Sequence, residues 1–169
     1  LTLLTDPNIG SREALIRQYD HEVQGRSVTK PFGGSGADAP TDGAVLFPRY
    51  DSSQAVAVSH GMAPWVGDYD TELMARYAVD EAVRALVALG AHPDRISALD
   101  NFCWSDPVAS PENPEGAYKM AQLVRACRGL SQSCLAYGVP LISGKDSMKN
   151  DAVVEGKRLS VRPTLLVSA

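Results

Sequence analysis

At 169 residues, with 44% hydrophobic and 21% charged side chains and a formal net charge of −4, the chain has the composition of an ordinary soluble globular protein. The acidic balance excludes a general nucleic-acid binder, which needs a basic surface to displace counterions. No apolar run approaches the roughly 20 residues of a bilayer span, and residues 1–7 lack the basic start and apolar core of a signal peptide. A single domain over residues 1–169 is expected, burying about 70% of its unfolded surface, with the cytoplasm as its location. The absence of an initial methionine and the strand-like final residues read as a piece of a longer protein.

Asp6-Pro7-Asn8 reads as a turn, and Ser11 as the cap of a helix reaching Tyr19. Residues 27–32 are expected to be extended. Residues 33–43, rich in Gly, Asp and Pro, form a long loop of the kind that is functional or disordered. Residues 44–47 and 55–59 read as strands, with a loop over 61–68 between the second strand and a helix. Asp70 is placed to cap that helix, residues 71–89, which Gly90 and Pro93 stop. A strand follows at 96–102, then a proline-rich loop at 106–114 and a second long helix at 115–137. Short strands at 141–143 and 159–167 complete the chain.

This order predicts an α+β fold: a mostly antiparallel sheet carrying both long helices on one face. Strands such as 56–59 show little polar alternation, so the opposite face needs a cover too. A second sheet, from another copy or another domain, is the simplest one.

Several residues could carry chemistry. The run Val139 to Met148 reads as a buried strand ending at Gly144 and handing over to Lys145, Asp146 and Ser147. That would gather a cation, an acid and a hydroxyl where a phosphate and its metal could sit. It is no Walker A loop, because Val139 stands where that motif needs glycine and Asp146 where it needs Ser or Thr. A turn or cap in which Asp146 or Ser147 satisfies backbone donors explains the same residues. Asp42 ends the flexible loop and Glu81 sits mid-helix, a pairing that could hold magnesium; spacing alone favours the plainer account, an Asp-Gly turn and a solvated helix face. His60 is expected at a strand end beside a loop, suited to proton transfer or to a phosphate hydrogen bond, or simply packed at a sheet rim. Asp20, His21 and Gln24 form either a ligand strip or an exposed edge. The three cysteines, Cys103, Cys127 and Cys134, lack metal spacing and read as free, buried thiols, with Cys127 and Cys134 on one helix side.

Taken together, residues 18–25 (Gln-Tyr-Asp-His-Glu-Val-Gln-Gly), 42–45 (Asp-Gly-Ala-Val), 79–84 (Val-Asp-Glu-Ala-Val-Arg), 99–104 (Leu-Asp-Asn-Phe-Cys-Trp) and 142–147 (Ile-Ser-Gly-Lys-Asp-Ser) resemble phosphoribosylformylglycinamidine synthase. The similarity is to the second of its aminoimidazole-ribonucleotide-synthase-like N-terminal domains, and it runs along nearly the whole chain. It implies an ATP-dependent carbon–nitrogen ligase of purine biosynthesis. ATP phosphorylates the amide oxygen of formylglycinamide ribonucleotide, and ammonia from a separate glutaminase unit displaces the phosphate. It further implies Mg2+ on Asp42 and Glu81, nucleotide phosphates near Gly144, Lys145, Asp146 and Ser147, and substrate near Asp20, His21 and Gln24. His60 matches a position that is catalytic in the related first domain. Such domains pair sheet to sheet into a barrel, which would make a dimer of this chain. One departure stands out: Ala85 occupies the place of a metal-binding asparagine, so a non-catalytic scaffold half is the alternative. Selenophosphate synthetases and thiamine-phosphate kinases share the scaffold, but their Asp-Asp-rich metal motif is missing beside Glu81.

Overall fold

A computed structural model describes residues 2–7, 9–19 and 23–169, with Val23 described through its backbone alone. The chain divides into two compact units, Leu1–Ala57 and Val58–Ala169.

In the first unit the helix that Ser11 was expected to start is a single turn, α1 (Glu13–Ile16). Ser11 Oγ still accepts the Glu13 N–H at 3.2 Å. Few apolar positions back this segment, and Leu15 is 63% exposed, so nothing propagates the helix beyond its nucleus. The strands are β1 (Ser27–Thr29), β2 (Phe32–Gly33), β3 (Ala39–Pro40) and β4 (Gly43–Leu46). β1 pairs antiparallel with β4, and β2 with β3. The stretch expected to be loop thus contains a small hairpin. The Arg17 guanidinium lies 4.4 Å from the centre of the buried Phe32 ring.

The second unit takes in β5 (Val56–Met62) from Val58 onward, then α2 (Pro64–Gly67), α3 (Thr71–Ala88), β6 (Ala98–Cys103), α4 (Gly116–Tyr137), β7 (Leu141–Ser147), β8 (Asp151–Val154), β9 (Lys157–Ser160) and β10 (Thr164–Ser168). β10 lies between β5 and β6, antiparallel to both, while β7 adds parallel to β6 at the edge. The sheet is therefore mixed and largely antiparallel, as the order of elements implied. β8 and β9 form a separate antiparallel hairpin, turning at Glu155 and Gly156, both with positive φ.

The two long helices form where sequence periodicity placed them. Asp70 caps α3 by accepting the Glu72 and Leu73 N–H groups at 2.8 and 3.1 Å, and its other carboxylate oxygen takes a hydrogen bond from Arg125 of α4. α4 stops at Gly138, whose left-handed backbone (φ 67°) frees the chain to turn. Packing depends on two glycines. A Cβ on Gly61 would lie 2.0 Å from the Ala78 carbonyl oxygen, so β5 and α3 touch backbone to backbone. A Cβ on Gly129 would lie 2.2 Å from the Glu72 carbonyl oxygen, which sets how closely α4 approaches α3. Between helices and sheet sit Met74, Ala75, Ala78, Leu165, Val167 and Trp104, each essentially without exposure. The larger of these contribute roughly 1.5–3 kcal/mol apiece by burial.

Candidate functional site: the open face of the sheet

Strand alternation sorts the residues of the second unit onto two faces. Ser59, Gly61, Ala98, Phe102, Leu165 and Val167 face the helices and are buried. The other face presents Val58, His60 and Met62 from β5; Thr164, Leu166 and Ser168 from β10; Leu99, Asn101 and Cys103 from β6; and Leu141, Ser143, Lys145 and Ser147 from β7. None of these is fully buried. Met62 and Leu99 stay 39% and 38% exposed, so the second face keeps considerable apolar surface in water. Among the described residues no closed barrel forms.

Register places the polar groups of this face in rows. Met62, Leu166, Asn101 and Lys145 are successive cross-strand neighbours, and His60, Ser168, Leu99 and Ser143 form the next row. Three strand spacings of about 4.8 Å put His60 and Lys145 roughly 15 Å apart at their backbones. They cannot touch, but they can meet two ends of one elongated ligand. His60 itself lies inside β5, paired with Ser168, and not at a strand end as expected. The strand continues to Met62 because Ser59 and Gly61 keep one face packed on α3.

A second correction concerns residues 144–147. β7 does not end at Gly144 but runs on to Ser147, paired with β6 throughout. Lys145 and Ser147 therefore share the open face, and Lys145 Nζ donates to Ser147 Oγ. Asp146 falls on the opposite face, as the register partner of buried Phe102. There it faces Asp100 and α4. Gly144 is small for a reason: the Asp100 carboxylate fills the space where its Cβ would stand, 2.6 Å away. Burial and the neighbouring Asp146 charge raise the Asp100 pKa. Partial burial, then Asp146 and Asp100, raise the Cys127 thiol, and burial followed by Asp100 raises Cys134. All three cysteines are free as expected. The expected burial holds only for Cys134: Cys103 is half-buried and Cys127 exposed, so the helix side that Cys127 and Cys134 share is not covered along its whole length.

The Ser147 end of β7 is held firmly. Its carbonyl accepts the Trp104 N–H at 2.8 Å and the Asn150 side-chain amide at 2.8 Å. The same amide also reaches Cys103 Sγ at 3.3 Å.

Glu81 projects from α3 to the end of β5, where its Oε2 accepts the Met62 N–H at 2.8 Å. It reaches the rim of the open face with one oxygen already engaged. Ala85, one turn further along α3, adds no donor. Asp42 is an exposed residue of the first unit, immediately before β4. Each unit thus supplies one carboxylate of the expected pair, and among the described residues no three His, Cys, Asp or Glu side chains gather as a metal site. Glu81, with its second oxygen outside that hydrogen bond, fits only a magnesium ion held chiefly by phosphate oxygens and water. Gln24 is exposed, its backbone in the left-handed region (φ 64°), and its carbonyl accepts the Tyr50 hydroxyl. Asp20 and His21 lie outside the described residues. Sequence reasoning missed Asn101 and Ser168, although period-two counting from Leu99 and Leu166 would have put both on the open face. No helix among the described residues is long and apolar enough to cross a membrane.

A largely antiparallel sheet with two helices on one face and an open, partly polar second face defines an α+β domain. Residues 40–161 match the family described as AIR synthase related protein, N-terminal domain, and the chain belongs to that family. Among curated relatives, it is 36% identical over 177 residues to the phosphoribosylformylglycinamidine synthase subunit PurL of Prochlorococcus marinus. It is 36% identical over 171 residues to the subunit of the same name from Methanocaldococcus jannaschii. These alignments take in 99% and 97% of this chain but only 20% of each relative, so the chain spans about a fifth of the length of the proteins it matches. Two solved structures from Thermotoga maritima superpose on it. PurLQS gives a TM-score of 0.68 at 27% identity, covering 92% of this chain and 22% of that one. PurL complexed with FGAR gives 0.64 at 26%, with the same coverage.

Proposed function

We propose that this chain is the second AIR-synthase-like N-terminal domain of a phosphoribosylformylglycinamidine synthase, residues 1–169 forming one such domain, and that its open sheet face is where ligand and partner meet. The reaction is the ATP-dependent conversion of formylglycinamide ribonucleotide and glutamine-derived ammonia to the amidine, in the cytoplasm, with a glutaminase unit as ammonia source. The family match over residues 40–161 and relatives bearing that name support this reading. So does a T. maritima PurL structure complexed with ATP, at 25% identity and a TM-score of 0.64. The observation that carries it is the placement of Lys145 and Ser147, side by side with Asn101, on an uncovered sheet face.

Within this reading Lys145 and the Ser147 hydroxyl bind phosphate oxygens from one side, with Gly144 keeping the adjacent backbone slim. His60 works at the far end of the face as a hydrogen-bonding or proton-transferring group toward substrate, and Asp20, His21 and Gln24 contribute from the first unit. Asp146 acts at one remove, its carboxylate on the helix side of the strand whose backbone carries Lys145. Asp42 and Glu81 would hold Mg2+ jointly with the nucleotide, which when bound supplies charge neutralisation for phosphoryl transfer. A partner sheet, from a related domain or a second copy, covers the apolar remainder and closes a barrel without exposed edges.

The absent donor at Ala85 favours a second reading, a scaffold half whose nucleotide site has decayed. Calorimetry with MgADP separates the two: saturable heat that disappears in Asp42→Asn supports the working site, and no heat in the wild-type chain supports the scaffold. Because the chain spans a fifth of its relatives, no ATP-dependent amidine formation is expected from this polypeptide alone. Turnover by the isolated chain would overturn that expectation.

A further inference from the structure

Lys119 is the one lysine among the described residues that is buried, at 8% exposure. Lysine is rarely placed so unless its ammonium is engaged. It faces no carboxylate directly. Nζ donates to Ser160 Oγ at 2.9 Å and to Asn113 Oδ1 at 3.1 Å. From there a closed ring runs through three segments. Because the ammonium occupies an acceptor position of Ser160, that hydroxyl's only proton goes to Asp151 Oδ1, at 2.6 Å. Asp151 Oδ2 accepts the Asp106 N–H at 2.9 Å. The Asp106 carbonyl accepts the Asn113 amide at 2.9 Å, which returns the ring to Lys119. Arg158 adds a charge 3.3 Å from Asp151 Oδ2. Burial pushes the Asp151 pKa up, but Ser160, the Asp106 N–H, Arg158 and Lys119 outweigh it and hold the net value below the ordinary one.

The ring has a consequence for the open sheet face. Asp151 is bonded to Asn150, which clamps the end of β7: its N–H donates to the Trp104 carbonyl at 2.9 Å and its side-chain amide to the Ser147 carbonyl. Trp104 closes the circuit, its indole N–H donating to the Lys119 carbonyl at 3.1 Å. We propose that Lys119 is a positioning residue that, through Ser160, Asp151 and Asn150, fixes the β7 terminus and with it the Lys145–Ser147 pair. A role confined to filling space would be met by methionine, which has similar reach and no charge. The inference rests on the phosphate-binding reading only for its effect on ligand; its structural half stands apart from it.

The test compares wild type with Lys119→Met and Ser160→Ala in the intact protein, by amide hydrogen exchange and by MgADP titration. Exchange at Trp104, Asp106 and Asn150 should rise about tenfold in both variants while Leu165 and Val167 stay protected, and MgADP affinity should fall about tenfold. Ser160→Ala opens the same ring from its exposed side, so it decides the matter should Lys119→Met fail to fold. Unchanged local exchange, or a rise spread evenly over β10 and β6, would overturn the proposal. So would unaltered affinity where wild type binds saturably. If wild type binds no MgADP, the phosphate reading fails while the exchange pattern still decides whether Lys119 positions β7.

Discussion

Asp100 has no hydrogen-bonding or ionic partner among the described side chains, yet it sits on the helix face beside Asp146. Its raised pKa means the folded state binds its proton more tightly than the unfolded chain does. Such an acid favours folding when protonated, and its cost sets in as pH climbs from the unfolded value of about 3.9 through the higher folded one. Asp100→Asn should therefore raise the thermal midpoint at neutral pH and leave it nearly unchanged in strong acid. Equal gains at both pH values would mean that shape, not charge, is responsible. Asp70 has the opposite sign. Its hydrogen bond from Arg125, with the Leu73 and Glu72 N–H groups, lowers its pKa, so its contribution is present above the unfolded value and fades as pH falls through the folded one. Asp70→Ala should cost about 1–2 kcal/mol in urea unfolding near neutrality, and a neutral outcome would deny it the capping role. Asp70 as cap was legible from sequence because capping is local. The separation of Asp146 from Lys145 was not, since it depends on how far β6 extends the pairing of β7.

At the scale of elements, α3 and α4 were readable because each combines a 3.6-residue apolar period with stop signals at Gly90 and Gly138. Lengths of strands were less so. β7 looked three residues long because Gly144 reads as a terminator, and its parallel partner lies over forty positions earlier. The β8–β9 hairpin was missed because both strands are only four residues long and largely exposed, leaving no apolar-polar alternation to count, and its turn uses Glu155-Gly156 where Asn-Gly is the usual signal. Gly61 shows how one position can govern two elements. Gly61→Ala should destabilise by about 3 kcal/mol, since its methyl would overlap the Ala78 carbonyl and force β5 away from α3. A chemical-denaturation midpoint within error of wild type would show that the contact relaxes freely.

For the whole molecule, the uncovered face of β5, β10, β6 and β7 is the dominant physical fact. Its apolar character was visible in the sequence, in the weak polar alternation of residues 56–59. What covers it depends on chain beyond any single-sheet reading. Sheet-to-sheet pairing predicts a dimer of this chain by light scattering. Val58→Asp, a charge placed on the 42%-exposed Val58 of that face, should return it to monomer, while a wild-type monomer at high concentration would speak against pairing. The proposed function places the ligand on the same face. Titrating the 15N-labelled chain with MgADP and following amide shifts tests that assignment most directly. Shifts should concentrate at Asn101, Lys145, Ser147 and Ser168, saturate, and vanish in Lys145→Ala, with Cys127 and Asp100 unmoved; shifts gathered instead around Asp146 and α4 would contradict it.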